Sequence, residues 1–190
     1  APYYEACDVR DIAALQSLLE RIQTRFGPIQ VLVNNAGRDD RHSLDELTPD
    51  YWDNCLNLNL RHHVFATQTV ARCLRAKGLG GSIINMGSIS WMRGRPNLIG
   101  YTSAKAAISG MTRSLARELG DAGIRVNALV PGAIVTARQN ELWRNAEEDQ
   151  KFIEFQCLKF RLDSSHVARP TLFLASDESS GITGQNLIVD

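Results

Sequence analysis

Tyr101 and Lys105 stand four residues apart at the start of a segment with helical character, so their side chains share one face within reach of a common ligand. A phenol has a pKa of about 10, and a neighbouring ammonium favours its ionised form, bringing tyrosine toward the useful range of a general acid or base. The pair alone is a weak signal, because the two residue types meet at this spacing in many helices. Ser88 strengthens it. It lies thirteen residues before Tyr101, just beyond the apolar run 82–86, at the carboxyl end where open α/β sheets bind ligands. Asn59 falls inside a long helical stretch in which asparagine is a mediocre helix former, and its amide can bind a water linked to the lysine. Asn34-Asn35-Ala36-Gly37 ends another apolar run with a loop small enough for a cofactor to approach the backbone.

The elements that must position these groups follow from the hydrophobic pattern. Ile12, Leu15, Leu19, Ile22 and Phe26 recur at helical spacing, with Asp11 as the cap and Gly27-Pro28 as the stop. Residues 29–33 form a short β-branched run, the pattern of a strand buried on both faces, and residues 3–7 look like the end of another. Thr48-Pro49 caps a helix that continues with little interruption to about Lys77, where glycines end it. A strand over 82–86, a helix over 101–119, a strand over 124–130, a helix near 166–175 and a strand near 186–189 follow. Residues 138–160 are polar, aromatic-spiked and irregular. Alternating helices and strands at this spacing predict an α/β fold, a doubly wound parallel sheet of Rossmann type in three layers.

With 190 residues and 44% apolar composition, one domain over 1–190 can bury one sizeable core. Acidic and basic residues balance at 21 each without runs of like charge, which favours a small-molecule substrate over nucleic acid or membrane as partner. Cys7, Cys55, Cys73 and Cys157 lie far apart, arguing against a zinc site or dithiol motif and for buried thiols in a reducing compartment. His62 and His63 have no second metal-ligand partner at useful spacing, so no metal is expected and a surface or interface role is favoured for them. No apolar run crosses a bilayer, and the cytoplasm is the expected location.

In order and at sensible spacing, Asp8-Val9, N-N-A-G at 34–37, Asn59, Ser88, Y-x-x-x-K at 101–105 and P-G-x-I-x-T at 131–136 resemble the short-chain dehydrogenase/reductase family. The resemblance implies a cofactor, NAD or NADP, and a catalytic tetrad of Asn59, Ser88, Tyr101 and Lys105. Tyr101 would move the substrate proton, Ser88 orient the oxygen, Lys105 bind the nicotinamide ribose and Asn59 anchor a relay water. It also implies that Asp8 and Val9 meet the adenine, that Asn35, Ala36 and Gly37 border the cofactor, and that Pro131, Gly132, Ile134 and Thr136 line its nicotinamide end. The residues themselves read Asn34 and Asn35 as amide ties between strands. Long helices at 48–77 and 101–119 resemble those that assemble the family's tetramers, so a homo-oligomer is expected.

A narrower likeness is carried by Asp39-Asp40-Arg41-His42 after the N-N-A-G turn, Tyr51-Trp52-Asp53, Asn59-Leu60-Arg61-His62, Gly87-Ser88-Ile89-Ser90-Trp91 and Gln156-Cys157-Leu158-Lys159. Together these are similar to the aldose 1-dehydrogenases of the D-xylose type, which take hydride from the anomeric carbon of a sugar and leave an aldonolactone. Substrate contacts are then expected from Ser88, Tyr101, Trp91, Asp39, His42, Gln139 and Gln156, with Trp143, Phe152 and Phe155 in a mobile lid. The family's glycine-rich fingerprint is absent. Two strands with their helices, on the order of 60 residues, are expected before Ala1, by the size of such units, and a shorter piece after Asp190. Without the first two strands, a sheet ordered 3-2-1-4-5-6 would be left with a hole in its middle. Rival readings are a 3-oxoacyl-thioester or ketone reductase of the same family, and a catalytically silent binding or assembly subunit.

Overall fold

The computed structural model describes residues 2–142 and 145–190; Trp143 lies outside them. Four parallel strands form the main sheet: β1 (Val31–Asn34), β2 (Gly81–Met86), β3 (Ile124–Pro131) and β6 (Asn186–Val189), side by side in that order. The pair β4 (Ile134–Val135) and β5 (Leu162–Asp163) forms a small second sheet. The central strands β2 and β3 are buried on both faces, with the polar Ser82, Asn85 and Asn127 enclosed among their apolar residues.

Ile83 and Ile84 show how the layers form, since neighbouring side chains on a strand point to opposite faces. Ile83 packs with Val70 and Leu74 of α3 (His62–Lys77) and Leu119 of α4 (Ile99–Leu119). Ile84 packs with Leu129 and with Leu174 of α7 (Ser164–Ala175). Helix α1 (Ile12–Phe26) joins the first layer through Leu15 and Leu19 against Ala66. The expected three-layer α/β architecture is therefore present, with helices on both faces of a parallel sheet. Among the described residues no helix is long and apolar enough to cross a membrane, and no group of His, Cys, Asp and Glu could hold a metal ion.

Three local expectations are corrected. Residues 3–7 are not a strand: Tyr3 packs against the Phe26 ring and Glu5 pairs with Arg21, so this segment leans on α1 and joins no ladder. No hole opens in mid-sheet, since β1, β2, β3 and β6 are contiguous and β1 lies at one edge. Residues 138–160 are more regular than their polarity suggested, because α5 (Ala137–Leu142) and α6 (Ala146–Phe155) occupy much of them. The aromatic residues are held from outside: Arg95 lies over the Phe152 ring at 4.7 Å and Arg93 over Phe155 at 6.0 Å.

The long helix expected over 48–77 is interrupted. It comprises α2 (Pro49–Leu56), one π turn at Asn57–Arg61, and then α3. A π turn closes each hydrogen-bonded ring with one more residue than an α turn and so rotates all that follows it. His62 and His63 come to lie inside the protein, at 3% and 0% exposure, which overturns the expected surface or interface role.

Candidate active site

The loops leaving β1, β2 and β3 converge beyond the carboxyl ends of the strands and enclose a cavity of about 830 Å³. Asn35 and Gly37 come to it from the first loop, Gly87 and Ser88 from the second, and Pro131, Gly132, Ile134 and Thr136 from the third. Tyr101 and Lys105 enter from the first two turns of α4. Val167, Thr171 and Leu172 of α7 provide an apolar wall, and Arg38, Asp39, Arg138 and Gln139 form a polar rim.

Helix α4 has no side-chain cap, so packing must fix where it begins. Gly100 does this. A β-carbon there would stand 3.0 Å from Cys55 Sγ and 3.3 Å from Cys55 Cβ, tighter than side chains ordinarily tolerate, so glycine lets the first turn of α4 close on α2. One turn on, Lys105 is 3% exposed and its Nζ donates to the Met86 carbonyl at 2.7 Å. Burial lowers its pKa to about 8.

Tyr101 lies next to it, with Lys105 Nζ 5.6 Å from the ring centre. The expectation that the ammonium lowers the phenol is corrected for the protein alone. Burial pushes Tyr101 up to about 12, the Ser88 hydroxyl pulls it back, and the Asp39 charge adds to the rise. Lys105 is turned toward the Met86 carbonyl, and desolvation sets the direction at the phenol.

Asn59 occupies the π turn at 1% exposure. Its Nδ2 donates to the Cys55 carbonyl at 3.0 Å, a bond that competes with the regular helix ladder, and its Oδ1 accepts the Arg38 main-chain N–H at 2.8 Å. The asparagine thus ties the loop after β1 to the helical layer. An amide offers two donors and two acceptor positions, so capacity for one water remains. Asn34 is the strand tie its position suggested: Nδ2 donates to Asn85 Oδ1 of β2 at 2.9 Å. Asn35, read alongside it as a tie, lines the cavity instead.

The residues present fit a nicotinamide cofactor. A β-carbon at Gly37 would lie 2.9 Å from Asn59 Oδ1 and 3.5 Å from Lys105 Nζ, so the bare glycine keeps the approach to the lysine open. Of the three donors on Lys105, the Met86 carbonyl takes one and two can serve ribose hydroxyls.

Other expected site residues lie apart from this cavity. Asp8 is paired with Arg10, which also reaches Asn54 of α2; neither Asp8 nor Val9 lines the cavity, and Ala36 does not either. His42 is tucked beneath its loop, bonded through Nδ1 to the Ser43 carbonyl and edge-on to Tyr51 at 4.8 Å. Trp91 is half-buried outside the lining, and Gln156 is 3% exposed with its amide turned to the Phe160 carbonyl at 3.4 Å. Sequence reasoning missed Gly100, the face of α7, and Arg38 and Arg138. A glycine just before Tyr101 was the available signal for the first. Nothing local marks the others.

A family model described as enoyl-(acyl carrier protein) reductase matches residues 2–190. The chain is 47% identical over 189 residues to D-xylose 1-dehydrogenase of Caulobacter vibrioides strain NA1000, covering 100% of this chain and 74% of that protein. It is 44% identical over 190 residues to a Rhizobium meliloti strain 1021 protein named "probable galactose dehydrogenase", again covering 100% and 74%. The crystal structure of a gluconate 5-dehydrogenase from Burkholderia cenocepacia J2315, in complex with NADP and tartrate, superposes with a TM-score of 0.90 at 30% identity. That match covers 97% of this chain and 72% of the other.

Proposed function

Because the chain belongs to the short-chain dehydrogenase/reductase family and is a dehydrogenase acting on CH–OH groups with NAD or NADP, we propose that it oxidises the anomeric carbon of an aldose to an aldonolactone. The observation that carries the reading is the pairing of Tyr101 and Ser88 in a cavity whose open side is rimmed by charged and amide side chains. A polyhydroxylated ring can add hydrogen bonds to the Asp39 carboxylate and the Gln139 amide, which the apolar tail of a thioester or ketone substrate cannot.

In this reading Ser88 donates to the anomeric oxygen and fixes its position, and the Tyr101 oxygen removes its proton. Lys105 holds the ribose and places its charge beside the phenol, which favours phenolate against the desolvation that raises it. Asn59 keeps Arg38 and Gly37 in register and offers its remaining amide capacity to a relay water. Asn35, Gly37, Pro131, Gly132, Ile134 and Thr136 would hold the cofactor. Bound NAD or NADP supplies the hydride acceptor.

The test is absorbance at the reduced-nicotinamide band with pentoses, hexoses and 6-deoxyhexoses, offered with NAD and then NADP, and hydroxylamine trapping of the lactone. Expected is turnover of one sugar class, reduced at least about 1000-fold in Tyr101→Phe with cofactor affinity retained. Turnover of 3-oxoacyl thioesters with no response to any sugar would overturn the reading.

A further inference from the structure

Asp39 and Asp40 are neighbours in the loop after β1, yet they meet different partners. Asp40 Oδ2 accepts from Arg38 Nε at 2.6 Å and Oδ1 faces Arg138 of α5 at 3.5 Å, while the Asp40 main-chain carbonyl accepts the Tyr51 hydroxyl at 3.0 Å. Both of its carboxylate oxygens are engaged, one within the loop and one toward α5. Asp39 accepts one neutral donor among the described residues, the Gln139 amide, from Nε2 to Oδ2 at 3.2 Å. A carboxylate has roughly four acceptor positions, so most of this one's capacity is uncommitted.

The uncommitted carboxylate is a cavity residue and not a surface one. Asp39 is half-buried, lines the same space as Ser88 and Tyr101, and lies close enough to the phenol for its charge to act there. Gln139 reaches it from 100 residues further along the chain and is itself half-buried in the cavity wall. A partly desolvated carboxylate with one neutral partner has a strong demand for hydroxyl donors, and two adjacent hydroxyls of a sugar ring match its two oxygens.

We propose that Asp39, held in place by Gln139, is the specificity-determining residue of this site and accepts hydrogen bonds from sugar hydroxyls other than the one oxidised. The proposal rests on the aldose reading and deepens it. Asp39 distinguishes a polyhydroxylated lactol from a bare one, whereas Tyr101 and Ser88 treat the two alike because they meet only the anomeric oxygen.

The experiment compares kcat/KM for D-xylose or D-galactose with that for tetrahydropyran-2-ol, the same cyclic hemiacetal without the other hydroxyls. It uses wild type, Asp39→Asn and Gln139→Ala, each checked for folding by its thermal transition. Asp39→Asn is expected to reduce the preference for the sugar over the bare lactol by about 100-fold, the worth of hydrogen bonds to a charged group. Gln139→Ala shifts the same preference in the same direction by about tenfold, and serves if the first variant does not fold. A folded variant in which both substrates lose equally, or neither loses, overturns the proposal. Wild type that oxidises the bare lactol as well as any sugar overturns the role of Asp39 while retaining lactol oxidation. Wild type that oxidises neither lactol overturns the aldose reading itself.

Discussion

Asn59 and Arg38 are 21 residues apart in sequence and are joined by one hydrogen bond, from the Arg38 main-chain N–H to the Asn59 side-chain oxygen at 2.8 Å. That bond fastens the loop carrying Gly37 and Asp39 to the π turn beside Lys105. The same loop is also held by the Tyr51 hydroxyl on the Asp40 carbonyl and by Gln139 on Asp39, so the Asn59 bond is one of its ties and the one nearest Gly37.

Asn59→Ala should leave the Arg38 N–H without its acceptor and cost about 1–3 kcal/mol of stability. Amide hydrogen exchange is the direct measurement. Exchange at Arg38 should accelerate at least about tenfold relative to strands β2 and β3, whereas uniform acceleration would mean the bond serves only the global fold.

The buried lysine makes stability depend on alkaline pH. Its folded pKa is depressed from 10.5 to about 8, so its contribution is fully present above pH 10.5 and is lost as pH falls through about 8. The difference between wild type and Lys105→Met in urea midpoint should change by about 3 kcal/mol equivalent across that window, wild type gaining relative to the variant as pH rises. A flat difference would mean that Lys105 is solvated in the folded state.

The two inward histidines act at the other end of the pH scale. Burial lowers His62 to about 4 and His63 to about 2, so their contribution is present above pH 6.5 and is lost as pH falls through those values. Among the described residues no partner meets either ring nitrogen of His63 in good hydrogen-bond geometry, although the Asn85 side chain lies near enough to oppose part of the fall in its pKa. His63→Leu should be within about 1.5 kcal/mol of wild type at pH 7, and its acid transition should fall at lower pH. A large loss at neutral pH would show that the ring is satisfied by bound water.

The close contact at the start of α4 gives a packing prediction. Gly100→Ala places a β-carbon 3.0 Å from Cys55 Sγ and should destabilise by about 1–3 kcal/mol while lowering kcat through displacement of Tyr101. Adding Cys55→Ala removes the sulfur and should recover part of both losses. A strictly additive double variant would place the strain elsewhere.

Much of this molecule was written in local pattern. Strand β6 and the boundaries of β2, β3 and α4 lie within one or two residues of what apolar runs and glycine stops indicate. Tyr101 and Lys105 were legible by type and spacing because both sit on α4, whose geometry is known in advance, and Ser88 because it follows the end of a recognisable strand. The π turn was not legible: it arises where the Asn59 amide takes the Cys55 carbonyl, a competition that a helical periodicity does not register. That turn decided that His62 and His63 face inward.

The sequence by itself determined the chemistry available, namely a tyrosine and a lysine one helical turn apart, a serine past a strand end, and small residues where a cofactor must approach. Tertiary structure alone decided which polar groups share the cavity. Gln139 meets Asp39 while Gln156 and His42 turn away, although all four read alike as hydrogen-bonding residues in loops. Spacing along a helix or strand is set by covalent geometry, but the meeting of two loops 100 residues apart depends on how every intervening layer packs. The protonation balance belongs to the same category. Adjacency predicted a lowered Tyr101, and burial, which only the folded chain possesses, raised it.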